Sequence, residues 1–257
     1  MKLSHISIAT LLSVAAVGAF AQAKAPEPDY TLSFNAGAVT DYRFRGISQT
    51  SKKPAIQGGL DFAHKSGFYA GVWGSNVKWI KDFNGATKGS LEIDLYGGYK
   101  GEIAKDLGFD VGLIAYQYPG NNSGAAGTPG AGAVTNANTT EFYGALTYKM
   151  VTAKYSRSTG TFLGFLNSSG SDYFDLSAAF DLGNGFTLTP HVGVQKVKNN
   201  SNFDYTDYSL TVAKDMGNGF SLTAAAIGTN AKKAFYTDAN GKFIGNGTLV
   251  VGAKYSF

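Results

Sequence analysis

From residue 30 onward, apolar and polar side chains alternate one by one, the period of a strand whose two faces meet different surroundings. In 90–101, Leu91, Ile93, Leu95 and Tyr99 share one face, and Glu92, Asp94, Tyr96 and Lys100 share the other. The segment 139–149 sets Thr140, Phe142, Leu146 and Tyr148 against Glu141, Tyr143, Thr147 and Lys149. In 171–182, Phe174, Leu176, Ala178, Phe180 and Leu182 oppose Tyr173, Asp175, Ser177 and Asp181. The same period predicts strands at 30–44, 54–63, 68–79, 90–101, 107–118, 139–149, 151–158, 171–182, 185–197, 205–214, 219–229 and 247–257, twelve in all. Aromatic residues occupy both faces of the third, which leaves its orientation open.

The connections alternate in length. Polar loops rich in Gly, Asn, Ser and Thr follow the odd-numbered strands and contain 47–53, 80–89, 119–138, 159–170, 198–204 and 230–246. Tight turns follow the even-numbered ones at 64–67, 102–106, 149–150, 183–185 and 215–219, two of them built on Asn-Gly. The segment 181–189 (DLGNGFTLT) recurs as 215–223 (DMGNGFSLT), one strand, loop and strand later, with a shorter echo at Asp106 to Phe109. Such repetition also occurs in propellers and solenoids, but alternating long and short connections belong to an up-and-down barrel. The expected fold is therefore all-β: a transmembrane antiparallel β-barrel of twelve strands, with both termini on the short-turn, periplasmic side.

The N-terminus supports export. Met1-Lys2-Leu3 leads into an apolar stretch from Ile6 to Phe20, interrupted by Ser7, Thr10, Ser13 and Gly18, and small residues follow at Ala19, Ala21 and Ala23. This order reads as a signal peptide over 1–21, with cleavage after 23 as the alternative, ahead of a single outer-membrane barrel domain over 22–257. The chain has 34 Gly, 15 Tyr and 18 Phe among 257 residues and no cysteine, so disulfides, thiolate nucleophiles and Cys-ligated zinc are excluded. Mean hydropathy is only −0.09, and no later apolar run approaches the roughly 20 residues of a membrane helix, so membrane insertion must use strands. A formal charge of +4, with scattered Lys and Arg, gives no basic stripe for nucleic acid.

The final strand places Leu249, Val251, Ala253, Tyr255 and Phe257 toward lipid, with Lys254 and Ser256 toward the lumen. Tyr255 and Phe257 form the candidate signal read by the outer-membrane barrel assembly machinery. Tyr30, Phe68, Tyr69, Trp79, Tyr148, Phe186 and Phe220 sit near strand ends, where aromatic girdles form in barrels. A soluble β-sandwich would need large apolar residues where these strands carry small or charged ones.

Catalytic parts are sparse. Of three histidines, His5 lies in the export signal, His64 in a short turn, and His191 on an inward position of the ninth strand. The His, x, Ser spacing of outer-membrane phospholipases reappears only as His64 and Ser66, away from the outer leaflet, because Gly193 follows His191. Omptin chemistry would need acidic pairs and a histidine at the outer rim, where neither His64 nor His191 lies. The glycine pairs join no strand to a helix and hold no phosphate. No catalytic residue, cofactor or metal is expected. The candidate lumen-lining residues are Arg43, Glu92, Asp94, Lys100, Glu141, Lys154, Asp175 and Lys254, whose mixed signs predict weak ionic selectivity. Arg43 shares a face with Asp41, Asn35 and Ser33, and is expected either to face the lumen or to pair with Glu92, Asp94 or Asp61.

The stretch 41–50 (DYRFRGISQT), followed by 54–62 (PAIQGGLDF) and 67–77 (GFYAGVWGSNV), resembles the TorF family of porins across the whole mature chain. That resemblance implies an outer-membrane barrel and supplies no catalytic residues. The expected function is a passive pore, not an enzyme, admitting small hydrophilic solutes or ions, with outer-membrane lipid and lipopolysaccharide around it. The alternatives are a closed structural or adhesive barrel acting through its external loops, and, more remotely, a lipid-acting enzyme dependent on His191.

Overall fold

The computed structural model describes residues 28–257; the expected export signal at 1–21 lies outside the described residues. The first six strands are β1 (Tyr30–Val39), β2 (Ala55–His64), β3 (Phe68–Asn76), β4 (Leu91–Ala104), β5 (Leu107–Gln117) and β6 (Thr139–Tyr148). The next six are β7 (Val151–Ser158), β8 (Asp172–Ala178 with Phe180–Gly183), β9 (Phe186–Lys196), β10 (Tyr205–Gly217), β11 (Phe220–Thr229) and β12 (Thr248–Ser256). The two segments of β8 hold one register against β9, with Ser177 opposite His191 and Phe180 opposite Leu188. That register puts Pro190 opposite Ala178, and proline has no N–H with which to continue the ladder.

Consecutive strands pair antiparallel, and β1 pairs with β12 from Asn35 opposite Ser256 to Val39 opposite Gly252. The twelve strands therefore form a closed barrel. Closure leaves no free sheet edge, the condition a sheet must meet to span lipid. Among the described residues no helix is long and apolar enough to cross a membrane. The strand alternation is inverted relative to a soluble protein. Leu95, Leu113, Leu146, Leu176, Leu210 and Val251 stand outward and exposed, while their neighbours along each strand, such as Asp94, Thr147, Asp175 and Ser209, point inward. An apolar belt around a polar interior is the pattern of a membrane barrel and removes the sandwich alternative.

All five tight turns lie at one end. Asn184-Gly185 (φ 50° and 76°) and Asn218-Gly219 (φ 52° and 80°) take the left-handed pairs that two-residue hairpins require. Outward aromatics collect at this end: Phe68 packs on Tyr99 with centroids 4.9 Å apart, Tyr99 on Phe109 at 5.8 Å, and Phe257 on both Phe34 and Tyr255. Tyr30, Tyr148, Phe186 and Phe220 join this girdle. The long loops gather at the opposite end.

Four local expectations need correction. The first strand stops at Val39 instead of running to 44, because the chain folds inward after Thr40. The third stops at Asn76, and Trp79–Asp82 forms a one-turn helix, α1, whose Trp79 and Ile80 are buried. Trp79 therefore belongs to a core and not to a girdle, and Tyr69 points inward, donating to Asp110 at 2.5 Å. Glu102 and Ile103 continue β4 instead of opening its turn.

Leu113, 55% exposed on the outward face of β5, provides a test of the lipid-facing assignment. Leu113→Arg should destabilise the barrel by about 2–4 kcal/mol in denaturant titrations of folding into phospholipid vesicles. A cost near zero would place that face in water.

Candidate functional site

Loop 1, between β1 and β2, enters the barrel. Asp41 organises it: its carboxylate accepts from Ser48 Oγ at 2.5 Å, Thr50 Oγ1 at 3.1 Å and Arg43 Nε at 2.7 Å. The backbone of Arg43–Phe44 then pairs with Ile47–Ser48 around a tight turn at Arg45 and Gly46 (φ 48° and 78°). A Cβ on Gly46 would lie 2.5 Å from Thr229 Cγ2 and 2.8 Å from Asp207 Cβ, so the tip meets the wall at β10 and β11 only because the residue is glycine.

From that tip the Arg45 side chain completes the crossing. Its Nη1 and Nη2 bind Glu141 Oε1 and Oε2 at 3.1 and 2.6 Å, and Nη1 also donates to Gln195 Oε1 at 2.8 Å. Glu141 is on β6 and Gln195 on β9, across the ring from β1. The guanidinium lies 4.1 Å from the Tyr173 ring centroid and 4.7 Å from that of Phe44, so aromatic faces complete its surroundings. Gly193 leaves room for the Tyr173 hydroxyl, with which any Cβ there would collide. Side-chain exposures of 7% for Arg45 and 1% for Glu141 make this a buried, bidentate ion pair. Burial opposes the arginine's charge, but the adjacent carboxylate outweighs it and holds the pKa above its ordinary value.

The remaining spokes of the hairpin reach other walls. Tyr42 donates to Glu92 Oε1 on β4 at 3.0 Å, while Arg43 Nη1 reaches the carbonyls of Ile244 and Asn246 in the last long loop at 3.0 and 3.1 Å. Around them the loops contribute an apolar cap. Phe44, Ile47, Trp79, Phe83, Phe162, Leu163, Phe165, Tyr205, Tyr236 and Ile244, with Gln49, leave a void of about 40 Å³. A void lined this way gives a water molecule few partners, and Arg45 and Glu141 beside it are almost wholly buried. Burial of Tyr42 and Tyr236 raises both phenol pKa values, so these residues act as neutral donors.

The expected lumen residues divide at this level. Glu92, Asp94 and Glu141 are inward and buried among the cap. Arg43 is not on a wall strand; its side chain is 2% exposed and it pairs with Asp41, not with Glu92, Asp94 or Asp61. Towards the short turns, Lys154 lies 3.9 Å from the Tyr143 centroid, Lys100 lies 5.5 Å from that of Tyr69, and Asp175 accepts from His191 Nε2 at 2.6 Å. Lys254 is inward and exposed. Thr223, Ser209, Thr211 and Thr189 are also inward and reached by water, so the interior below the hairpin is solvated.

His191 touches Tyr173 at 3.3 Å and approaches Asp207 at 3.6 Å as well as Asp175. It faces the interior, away from membrane lipid. His64 contacts Ser66 Oγ at 2.7 Å in an exposed short turn.

Residues 22–257 match the family described as "Bacterial protein of unknown function (Gcw_chp)". The chain belongs to this family. No curated protein matches it by sequence. Among solved structures it is similar to the "KdgM porin in complex with disordered oligogalacturonate", with a TM-score of 0.54, 6% identity, and coverage of 88% of this chain and 99% of that one. It is also similar to the NanC porin, with a TM-score of 0.53, 8% identity and the same 88% and 99% coverage. At such identities the likeness concerns the fold, a porin barrel.

Arg45 is the residue that sequence reasoning passed over in favour of Arg43. The available signal was Arg45-Gly46 flanked by Phe44 and Ile47, a two-residue turn between apolar positions, but Arg-Gly is a weaker hairpin mark than Asn-Gly. Removing one member of a buried ion pair costs about 3–5 kcal/mol. Glu141→Gln should therefore lower hydrogen-exchange protection of the Ser48 and Gln49 amides, bonded to Ile244 and Tyr42, by about a hundredfold or more. Unchanged protection would show that the ion pair does not hold the hairpin.

Proposed function

We propose that this chain is an outer-membrane channel for passive diffusion of small hydrophilic solutes or ions, closed at rest by its first long loop. The observation that carries the reading is the abrupt change in the interior at Arg45. Inward Lys254, Thr223 and Thr211 towards the short-turn end are open to water, whereas Glu92, Glu141 and Gln195 are buried against the hairpin. A barrel whose role was purely structural would have no need of a solvated, charged interior stoppered at one level. The TorF resemblance and the porin fold support the same reading.

In this proposal residues 1–21 are removed on export, the short turns and both termini face the periplasm, and the long loops face outward beside lipopolysaccharide. Tyr255 and Phe257 present the last strand to the assembly machinery. Arg43, Glu92, Asp94, Lys100, Glu141, Lys154, Asp175 and Lys254 act in permeation or gating, and none in catalysis.

A second reading, a closed barrel acting through its loops, is favoured by the apolar cap, which holds the long loops in a single packed arrangement. Planar-bilayer recording separates the two. Purified protein should show brief, discrete openings, and Arg45→Ala should raise open probability several-fold by releasing the hairpin. Silence from both proteins would leave the barrel intact and sink the channel.

A further inference from the structure

Four inward carboxylates descend one side of the barrel. Glu92 and Asp94 are on β4, Asp61 on β2 and Asp110 on β5, and none forms an ion pair among the described residues. Three of them accept from phenols: Tyr42 donates to Glu92 at 3.0 Å, Tyr96 to Asp61, and Tyr69 to Asp110 at 2.5 Å. Glu92 Oε2 and Asp94 Oδ1 are buried with no hydrogen-bond partner, and the residues are 1% and 6% exposed. A buried carboxylate oxygen without a partner is a costly arrangement, relieved when a cation is at hand.

Inward cations meet this stripe at its foot, where Lys100 stands opposite Asp110 across the β4–β5 pair, and not along Asp61, Glu92 and Asp94. Lys154 and Lys100 lie over the rings of Tyr143 and Tyr69, Arg43 and Arg45 are committed to Asp41 and Glu141, and His191 lies against Asp175. Asp61, Glu92 and Asp94 thus lie apart from the inward cations, and only Asp110 faces one.

A separate observation shows that the interior holds a cation elsewhere, on the wall formed by β6, β8 and β9. The Arg45 guanidinium arrives from loop 1 and is held by Glu141, Gln195 and the Tyr173 face, a ready-made cage for a planar cation. Carboxylates and aromatic faces together recognise alkali ions less specifically, and guanidinium or ammonium groups more so. The low-dielectric surroundings of a narrow lumen focus the field of fixed charges on the permeating ion.

We infer that the conducting lumen selects cations over anions, with Asp61, Glu92, Asp94 and Asp110 as the selectivity-determining stripe and small cations, guanidinium among them, as the permeant class. This rests on the channel reading above. The wild-type reversal potential under a tenfold KCl gradient should lie toward the K⁺ equilibrium value, with K⁺ favoured several-fold over Cl⁻. The preference should shrink between 0.1 M and 1 M salt as screening shortens from about 10 Å to about 3 Å. Guanidinium chloride in place of KCl should sustain the current.

Asp61→Asn/Asp94→Asn/Asp110→Asn should bring the ratio close to one. The charge-neutral pair Arg45→Ala/Glu141→Ala should open more often while keeping cation preference. Openings with an anion-directed or zero reversal potential would overturn the inference and leave the channel standing, as would a folded triple variant with unaltered selectivity. If the triple variant does not fold, the wild-type potential still decides. Silence from wild type and the double variant would overturn the channel reading, and the inference with it.

Discussion

The pairing of β1 with β12 is the constraint on which everything else depends. A sheet in hydrocarbon cannot leave a row of N–H and C=O groups unpaired, and closing the ring satisfies both edges at once. Closure fixes the interior as a bounded space, sets β6 to β9 across from β1, and decides which alternate residues meet lipid. The apolar belt and the polar interior follow from one dyad pattern applied around a closed curve.

Within that space, the loop 1 hairpin is stabilised by groups that have no value to it unless the barrel exists. Asp41 shapes the hairpin locally through Arg43, Ser48 and Thr50, while Arg45 links it to Glu141 and Gln195 on the far wall. The long loops then pack apolar side chains around it, including Phe83 on Tyr236 and Phe165 on Phe203 with centroids 6.0 and 4.4 Å apart. The same molecule thereby has two apolar surfaces of opposite purpose: a belt facing lipid, and a cap beside the buried Arg45 and Glu141. Below the cap, Asp110, Asp175, Lys100, Lys154 and Lys254 remain accessible to water.

Barrel, strand number, turn placement and the inward positions of Glu92, Asp94, Lys100 and Glu141 were legible because they depend on periods of two and on short-range turn chemistry. Asn184-Gly185 and Asn218-Gly219 announce their hairpins through backbone conformations few other residue pairs adopt. The end of β1 was not legible: Val39 and Thr40 interrupt the alternation, but Asp41, Arg43 and Arg45 resume the parity of Ser33 and Asn35, so the pattern reads on past the point where the strand leaves the wall. The end of β3 was hidden in a similar way, since Val77, Trp79 and Ile80 are apolar whether they extend a strand or bury a helical turn.

By itself, then, the sequence determined a closed membrane barrel of twelve strands and the face on which most of its charges lie, since both are properties of neighbours along the chain. Only the tertiary structure decided that Arg45 and not Arg43 spans the lumen, that Glu141 is its partner, and that Asp61, Glu92 and Asp94 stand on one side without a cation. Arg45 and Glu141 are 96 residues apart, and Arg45 and Gln195 are 150 apart. Contacts at such separations are set by where the closed ring places its walls, and no local period carries that information.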